Sequence, residues 1–490
     1  MILGDDGQTA QTTLDDLFRA NAQRRPEAVA LIDPPDRERV CGGAARRLTY
    51  AEADLIVSAI AGRLWRLGLQ ADTVIGVQLP NTVEGILTLL GIMRAGMIAA
   101  PLPLLWRRQE CAAALGLAGA KAIITTLRIG SEQHCDLAMY TAADLFPIRY
   151  VCCFGGDVPD GVVPLEDLFA LDAPDPLPEN ERSGNPAAHV ALVTFDVTPD
   201  GLMPVARNHN ALISGGLAVQ RESASTQAKT LLSTVPIGSF AGFSLTLMPW
   251  LLSGGTLALH HPFDAEAFAA QLRSDSISTV VVPGAMLTPL ADSGALRRLD
   301  SVIALWRASE RMANAPAYSG NIVIDVASFG EIGLIASKRP VNGKALPLPL
   351  GVEIARTPAG TLALRGPMVP RFAFPPGAAE NAEARLEPDA ADFIDTGYPC
   401  RIDDQTLVVT GPPAGVISVG GYRFLQRDID ALAESLNAFA TLAALPDALA
   451  GQRLAGAAAD PKGVYLKLRA MGANPLIIGA FRGRTGSQAA

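Results

Sequence analysis

Residues 190–212 read Val190-Ala-Leu-Val-Thr-Phe-Asp-Val-Thr-Pro-Asp-Gly-Leu-Met-Pro-Val-Ala-Arg-Asn-His-Asn-Ala-Leu212. An apolar run with β character, Val190 to Phe195, leads into a turn-rich loop, Asp196 to Gly201, and a helix is expected to open near Asn208. Strand, polar loop and helix is the layout that wraps a phosphate, because backbone N–H groups and a helix N-terminus supply partial positive charge. A working phosphate loop adds glycines, hydroxyls and a lysine. This one offers Gly201, Thr198, the carboxylates Asp196 and Asp200, and the prolines Pro199 and Pro204, with no lysine. Carboxylates repel phosphate, and proline lacks the N–H that would bind it. The layout points to a nucleotide; the residues argue against its ordinary use.

Outward from this stretch, composition sets the bounds. A chain of 490 residues, 49% of them hydrophobic, can bury a large core and should divide into two or more domains. Net charge is −9 and no basic stripe is present, which argues against a nucleic-acid partner. The six cysteines show no C-x-x-C spacing, and the adjacent Cys152–Cys153 continue an apolar run, so buried thiols in a reducing compartment are expected. The five histidines include His260–His261 but no H-E-x-x-H arrangement, so a structural metal is not expected. The polar start, Gly4-Asp5-Asp6-Gly7, is unlike a signal peptide. The longest apolar stretch, Gly85 to Pro103, contains Arg94 and is punctuated by Gly91, Gly96 and Pro101. It reads as a buried helix and a strand, not a membrane span. A soluble cytoplasmic protein is the expectation.

Strand-like runs alternate with amphipathic helices along most of the chain. Helices are expected from Thr13 and Thr49, strands at Val74–Leu79, Ala120–Thr125, Tyr150–Phe154, Thr256–His260, Thr279–Val282 and Ile322–Val326, and an apolar helix through Trp250. That grammar implies an α/β fold with parallel sheets covered on both faces. Residues 171–186 read as a surface linker. After Gly351 short strands sit between turns, suggesting a β-rich subdomain over about residues 345–411. A small α+β unit is expected over 412–490, its end from Arg482 frayed.

At this point the chain resembles the adenylate-forming superfamily: acyl-CoA synthetases, luciferases and nonribosomal adenylation domains. The landmarks are Leu48-Thr-Tyr-Ala-Glu, Val74-Ile-Gly-Val-Gln-Leu-Pro-Asn and Gly91-Ile-Met-Arg-Ala-Gly-Met-Ile-Ala-Ala-Pro-Leu, in family order and spacing. The resemblance implies a large N-terminal body of stacked parallel-rich sheets with flanking helices, plus a small α+β C-terminal domain. It also implies a carboxylate joined to AMP with ATP and Mg²⁺, often followed by transfer to a thiol. By this resemblance Thr194, Thr198, Gly201, Ser328, Gly330, Glu331, Thr396 and Tyr398 fall at nucleotide-binding positions. Glu331 and Thr198 are the catalytic candidates, and Glu331 is the metal ligand. Ser239, Phe240, Gly242 and Phe329 are expected to wall a substrate pocket.

The departures lie at the reactive positions. The family's loop lysine falls on Pro204 or Val205. Its Tyr-Gly-x-Thr-Glu motif reads Ala327-Ser-Phe-Gly-Glu, losing the adenine-stacking ring and the Thr. The Asp of Thr-Gly-Asp has become Tyr398. The hinge motif Gly-Arg-x-Lys-Asp reads Gly411-Pro-Pro-Ala-Gly, and the late catalytic lysine has no counterpart within the sequence. Each lost contact to a transferring phosphoryl group typically costs about 3–4 kcal/mol. ATP and Mg²⁺ are therefore expected to bind weakly or not at all.

Three readings follow. The first is an acyl-CoA synthetase-like protein with lost or weakened adenylation, keeping a pocket for an acyl or carboxylate ligand or acting as a partner. The second is an active ligase to CoA or an acyl-carrier protein using atypical residues. The third is an assembly subunit, with a protein partner or a second copy. Arg207, the cation nearest the loop, is expected at the surface, and His209 is expected to serve structure.

Overall fold

The computed structural model describes residues 11–482 except 171–176, 178–181, 224–228, 315–319, 321, 340–345, 348–350, 376–385, 404–405 and 437–438. Most of the expected linker at 171–186 and all of the tail after Arg482 lie outside the described residues.

Two large sheets form the body. In the first, Gly201–Asn208, Val190–Thr198, Ile98–Pro101, Val74–Gln78, Ala122–Thr126, Tyr150–Phe154 and Val163–Pro164 lie side by side in that order. All neighbours are parallel except the first pair. In the second, Thr230–Ser233 is flanked by Thr256–Leu259 and Thr279–Pro283, and antiparallel strands close both edges. A smaller antiparallel sheet is made of Leu346–Pro347, Thr406–Val409, Ile394–Asp403, Thr361–Arg365 and Glu353–Arg356 in that order. A four-stranded antiparallel sheet, Val416–Val419, Tyr422–Leu425, Thr441–Asp447 and Gly451–Ala457, carries its own core of Ile417, Ile429, Leu454 and Leu468. This is the α/β fold expected, a large N-terminal part with a small C-terminal one.

Helix starts follow the sequence. Thr49 caps Tyr50–Arg66 through a reciprocal bond with Glu52, and Thr13 does the same with Asp16 for Leu14–Arg24. The helix Val83–Arg94 is buried at every residue, so its one carboxylate, Glu84, must be matched. Arg37 and Arg46 both pair with it, and these opposite charges, acting against burial, hold its pKa down. Phe18, Tyr50 and Trp250 pack together, Tyr50 and Trp250 stacked at 5.9 Å, and Tyr50 Oη donates to the Gly255 carbonyl at 2.8 Å. All six cysteines are free and five are buried. Among the described residues no helix is long and apolar enough to cross a membrane.

Candidate functional site

The stretch at 190–208 departs from the expected layout. It is not strand, open loop and helix but a β-hairpin. Val190–Thr198 pairs antiparallel with Gly201–Asn208 as far as Thr198↔Gly201, leaving Pro199 and Asp200 as a two-residue turn. Pro199-Asp200 supplies the turn chemistry, and Pro204 is tolerated because Gly201–Asn208 is the outermost strand. The helix begins only at His209, so its N-terminus does not reach the turn. The backbone that would cradle an anion is committed to the ladder.

Asp196, Gly330 and Tyr398, three residues at which the chain departs from the motifs it resembles, meet in space around one arginine. Asp196 accepts Arg423 Nη1 on Oδ1 at 2.6 Å and the Glu331 backbone N–H on Oδ2 at 2.8 Å. Arg423 Nη2 donates to Tyr398 Oη at 2.5 Å. Gly330 has φ +56°, and a Cβ there would stand 2.1 Å from Asp196 Oδ2 and 2.6 Å from Arg423 Nη1. Any L-residue at 330 would therefore collide with the pair. Burial alone would lower the Arg423 pKa; Asp196 and Tyr398 outweigh it and raise it. Tyr398 is 1% exposed and meets Phe329 edge-on at 5.4 Å. From the same C-terminal segment, Arg427 donates to the turn carbonyls of Pro199 and Asp200 at 3.1 and 3.2 Å.

Glu331 sits in the short connection between Ile322–Phe329 and Gly333–Lys338. Its Oε2 accepts the Phe240 N–H at 2.7 Å, at the start of the helix Phe240–Ser253. Burial first, then the Asp196 charge, pushes its pKa up to about 6, against the Phe240 bond and Arg207. Arg207 is not at the surface as expected. It is 2% exposed, donates to the backbone carbonyls of Glu331, Ile332 and Met368, and lies 3.7 Å over the Phe240 ring. Burial lowers its pKa to about 10. His209 accepts the Leu14 N–H on Nδ1 at 3.2 Å, fastening the first helix, and burial lowers its pKa to about 4.

A cavity of about 560 Å³ opens beside the hairpin. Leu79, Leu102, Trp106, Phe195, Val235 and Trp306 are among its apolar walls, and Tyr422, Arg423 and Leu449 bring the C-terminal segment to it. Ser239, Ser328, Gly330 and Glu331 lie on its wall. Of the other expected pocket residues, Phe240 lies under Arg207 and Phe329 against Tyr398. Gly242 backs onto Pro236, whose carbonyl oxygen is 1.9 Å from where a Cβ would stand. These three are core, not wall: the helix Phe240–Ser253 turns Phe240 and Gly242 inward, and Phe329 ends the buried strand Ile322–Phe329 with its ring against Tyr398. Thr194 is fully buried, Thr198 donates to the Gly201 carbonyl at 3.3 Å, and Thr396 donates to the Leu362 carbonyl at 2.7 Å. None of those three lines the cavity.

Sequence reading missed Arg307, Arg423 and Arg427. Arg423 stands two residues beyond Gly420-Gly421, but nothing local ties it to Asp196, 227 positions away. Arg307 follows a parallel strand, Ser301–Trp306, and the C-terminal ends of parallel strands are where sites in such sheets gather. That signal could have found it. Among the described residues no group of three or more His, Cys, Asp or Glu is placed to hold a metal ion.

Residues 18–166 match the protein family described as AMP-binding enzyme. Bovine long-chain fatty acid transport protein 1 is 28% identical over 268 residues, 53% of this chain and 39% of its own length. 4-Coumarate–CoA ligase 3 of Arabidopsis thaliana is 23% identical over 53% of this chain and 46% of its own length. The chain thus matches less than half the length of these curated relatives. Among solved structures, the amide bond synthetase McbA from Marinactinospora thermotolerans superposes with TM-score 0.74 at 18% identity, over 95% of this chain and 94% of that one. MbtA of Mycobacterium smegmatis does so with TM-score 0.69 at 21% identity, over 96% and 90%.

Proposed function

We propose that this chain, whose residues 18–166 match the AMP-binding enzyme family, is a member of the adenylate-forming superfamily: an acyl-CoA synthetase-like protein with lost or strongly weakened ATP-driven adenylation and a retained pocket for an acyl or carboxylate ligand. One observation carries the reading: Asp196, Gly330 and Tyr398, three positions where the family handles nucleotide, are committed to Arg423.

The residue set fits MgATP poorly. Asp196 puts a carboxylate where a phosphate loop offers hydroxyls, and that carboxylate is already paired. Tyr398, in place of the ribose carboxylate, offers one buried phenol whose oxygen already accepts a hydrogen bond. Ala327 brings no ring for stacking. Glu331 is a single carboxylate with one oxygen given to Phe240, and a lone carboxylate needs substrate phosphates to complete a Mg²⁺ site. The cavity survives beside this cluster, of a size that suits a small organic ligand.

Calorimetry with MgATP tests the first half of the reading. Binding no tighter than about millimolar, roughly −4 kcal/mol, is expected. Micromolar binding, or pyrophosphate release with any carboxylate that disappears in Glu331→Ala, would favour an active ligase with atypical residues. Mass spectrometry of ligand carried through native purification tests the second half. An acyl or carboxylate compound supports the pocket; a cavity that takes nothing up favours the assembly-subunit reading.

A further inference from the structure

A second cavity, of about 430 Å³, lies apart from the first and shares no wall residue with it. It opens at the carboxyl ends of the parallel strands Ala122–Thr126 and Tyr150–Phe154, where sites in such sheets gather. Thr126, Phe154, Gly155 and two cysteines, Cys41 and Cys135, are on its wall. Cys135 is the second residue of the helix His134–Asp144, where the helix dipole favours a thiolate.

Behind Cys135 stands Cys153. Successive residues of a strand face opposite sides of the sheet, so Cys152 packs into the same core as Ile124 and Cys153 into the same core as Cys135 and Ala138. Two backbone bonds set the helix start against the strand end. The Cys135 N–H donates to the Leu127 carbonyl at 3.3 Å, and the Leu127 N–H donates to the Phe154 carbonyl at 3.1 Å. The Cys135 and Cys153 side chains share a hydrogen bond. The surroundings also tell the six free thiols apart. Burial pushes Cys41 and Cys152 up to about 12 and raises Cys111 and Cys400 as well. Cys135 alone moves down, because the bond from Cys153 favours its thiolate against burial and the Asp136 charge. That bond, then burial, raises Cys153, which keeps its proton. An ionised thiol beside a protonated one is the arrangement of an attacking and a resolving cysteine.

We propose that Cys135 and Cys153 form a peroxide-reactive dithiol, with Cys135 the attacking sulfur and Cys153 the resolving one. A hydroperoxide entering the cavity meets Cys135 on its wall. The sulfur attacks one peroxide oxygen; an S–O bond forms, the O–O bond breaks, and the proton given up by Cys135 leaves on the other oxygen as water or an alcohol. The Cys153 sulfur then attacks the Cys135 sulfur, its proton departing with the hydroxyl as water, and a disulfide forms. Two thiols are oxidised by two electrons and one hydroperoxide is reduced by two. The new bond staples the helix His134–Asp144 to the strand Tyr150–Phe154. The proposal stands whether or not the first cavity takes a ligand.

The reduced full chain, treated with equimolar hydrogen peroxide, blocked with N-ethylmaleimide and mapped by peptide mass spectrometry, tests this. A single disulfide, Cys135 to Cys153, should appear, with loss of two of the six free thiols. Cys135 should be consumed roughly tenfold faster than Cys41, although Cys41 is the one cysteine that is not buried. Cys153→Ser should leave Cys135 as a sulfenic acid that dimedone labels, and in Cys135→Ser no cysteine should outpace Cys41. Circular dichroism and the urea midpoint establish that each variant is folded; if one is not, the peptide map and rates of the native chain decide. Oxidation that falls first on Cys41 or any cysteine other than Cys135 overturns the proposal. So does a native chain that stays reduced, or one whose Cys135 sulfenic acid persists without pairing to Cys153.

Discussion

Replacing Gly330 by alanine would place a Cβ 2.1 Å from Asp196 Oδ2 and 2.6 Å from Arg423 Nη1. At φ +56° the alanine also enters the left-handed region, at a cost of about 1–2 kcal/mol. The carboxylate has little freedom to yield, since it holds the Glu331 N–H at 2.8 Å and Arg423 at 2.6 Å. Displacing it breaks a largely buried ion pair, worth about 3–5 kcal/mol when one partner is left alone. Gly330→Ala should therefore cost about 4–7 kcal/mol. In an Asp196→Ala background the carboxylate is gone and Arg423 can swing aside, so the same change should cost only about 1–2 kcal/mol. The coupling between the two sites is then about 3–5 kcal/mol, far above the few tenths by which independent sites fail to add. Urea unfolding of the four proteins, followed by tryptophan fluorescence, measures it. If Gly330→Ala costs the same with and without Asp196, Gly330 is not what makes room for the Asp196–Arg423 pair.

Other consequences are open to test. Arg423 and Arg427 fasten the C-terminal segment to the hairpin, so X-ray scattering from the native protein should not change on adding nucleotide and CoA. The double variant Arg423→Ala/Arg427→Ala should broaden its distance distribution; a native curve that responds to those ligands would sink the idea of one preferred orientation. Glu331 has a folded pKa of about 6, above its ordinary 4.5. Its contribution to stability is therefore greatest below pH 4.5 and is lost as pH rises through 6. Relative to Glu331→Gln, the native protein should lose roughly 2 kcal/mol between pH 4.5 and 7, read from urea midpoints; a flat difference would contradict the raised pKa. Glu84→Gln leaves Arg37 and Arg46 without their shared carboxylate. Because Arg37 keeps Asp33 and Arg46 keeps Glu166, it should cost about 1.5–3 kcal/mol, and a loss under about 0.5 kcal/mol would mean that those remaining partners carry the whole charge.

The body of this fold was legible because its signals are local. Capping residues such as Thr49 and Glu52 lie three apart, and runs such as Tyr150–Phe154 and Thr361–Arg365 form the strands their residue types favour. The motif departures at Asp196, Gly330 and Tyr398 were equally plain in the chain, and so was their conflict with phosphate chemistry. The sequence could not say that Gly201–Asn208 is a strand. Its proline and glycine read as loop, and only pairing with Val190–Thr198 at a sheet edge makes that segment extended. Arg207 looked like a surface cation, because nothing near it in sequence announces the carbonyls of Glu331, Ile332 and Met368 that take it into the core. The same holds for the cluster at the candidate site. Asp196, Gly330, Tyr398 and Arg423 are spread over 228 residues, and Ser239 and Arg307 are 68 apart. A chain encodes propensity over a few residues. Which distant charges face each other depends on how the sheets are stacked and where the C-terminal segment comes to rest, so only the tertiary structure could turn separate substitutions into one arginine's binding site.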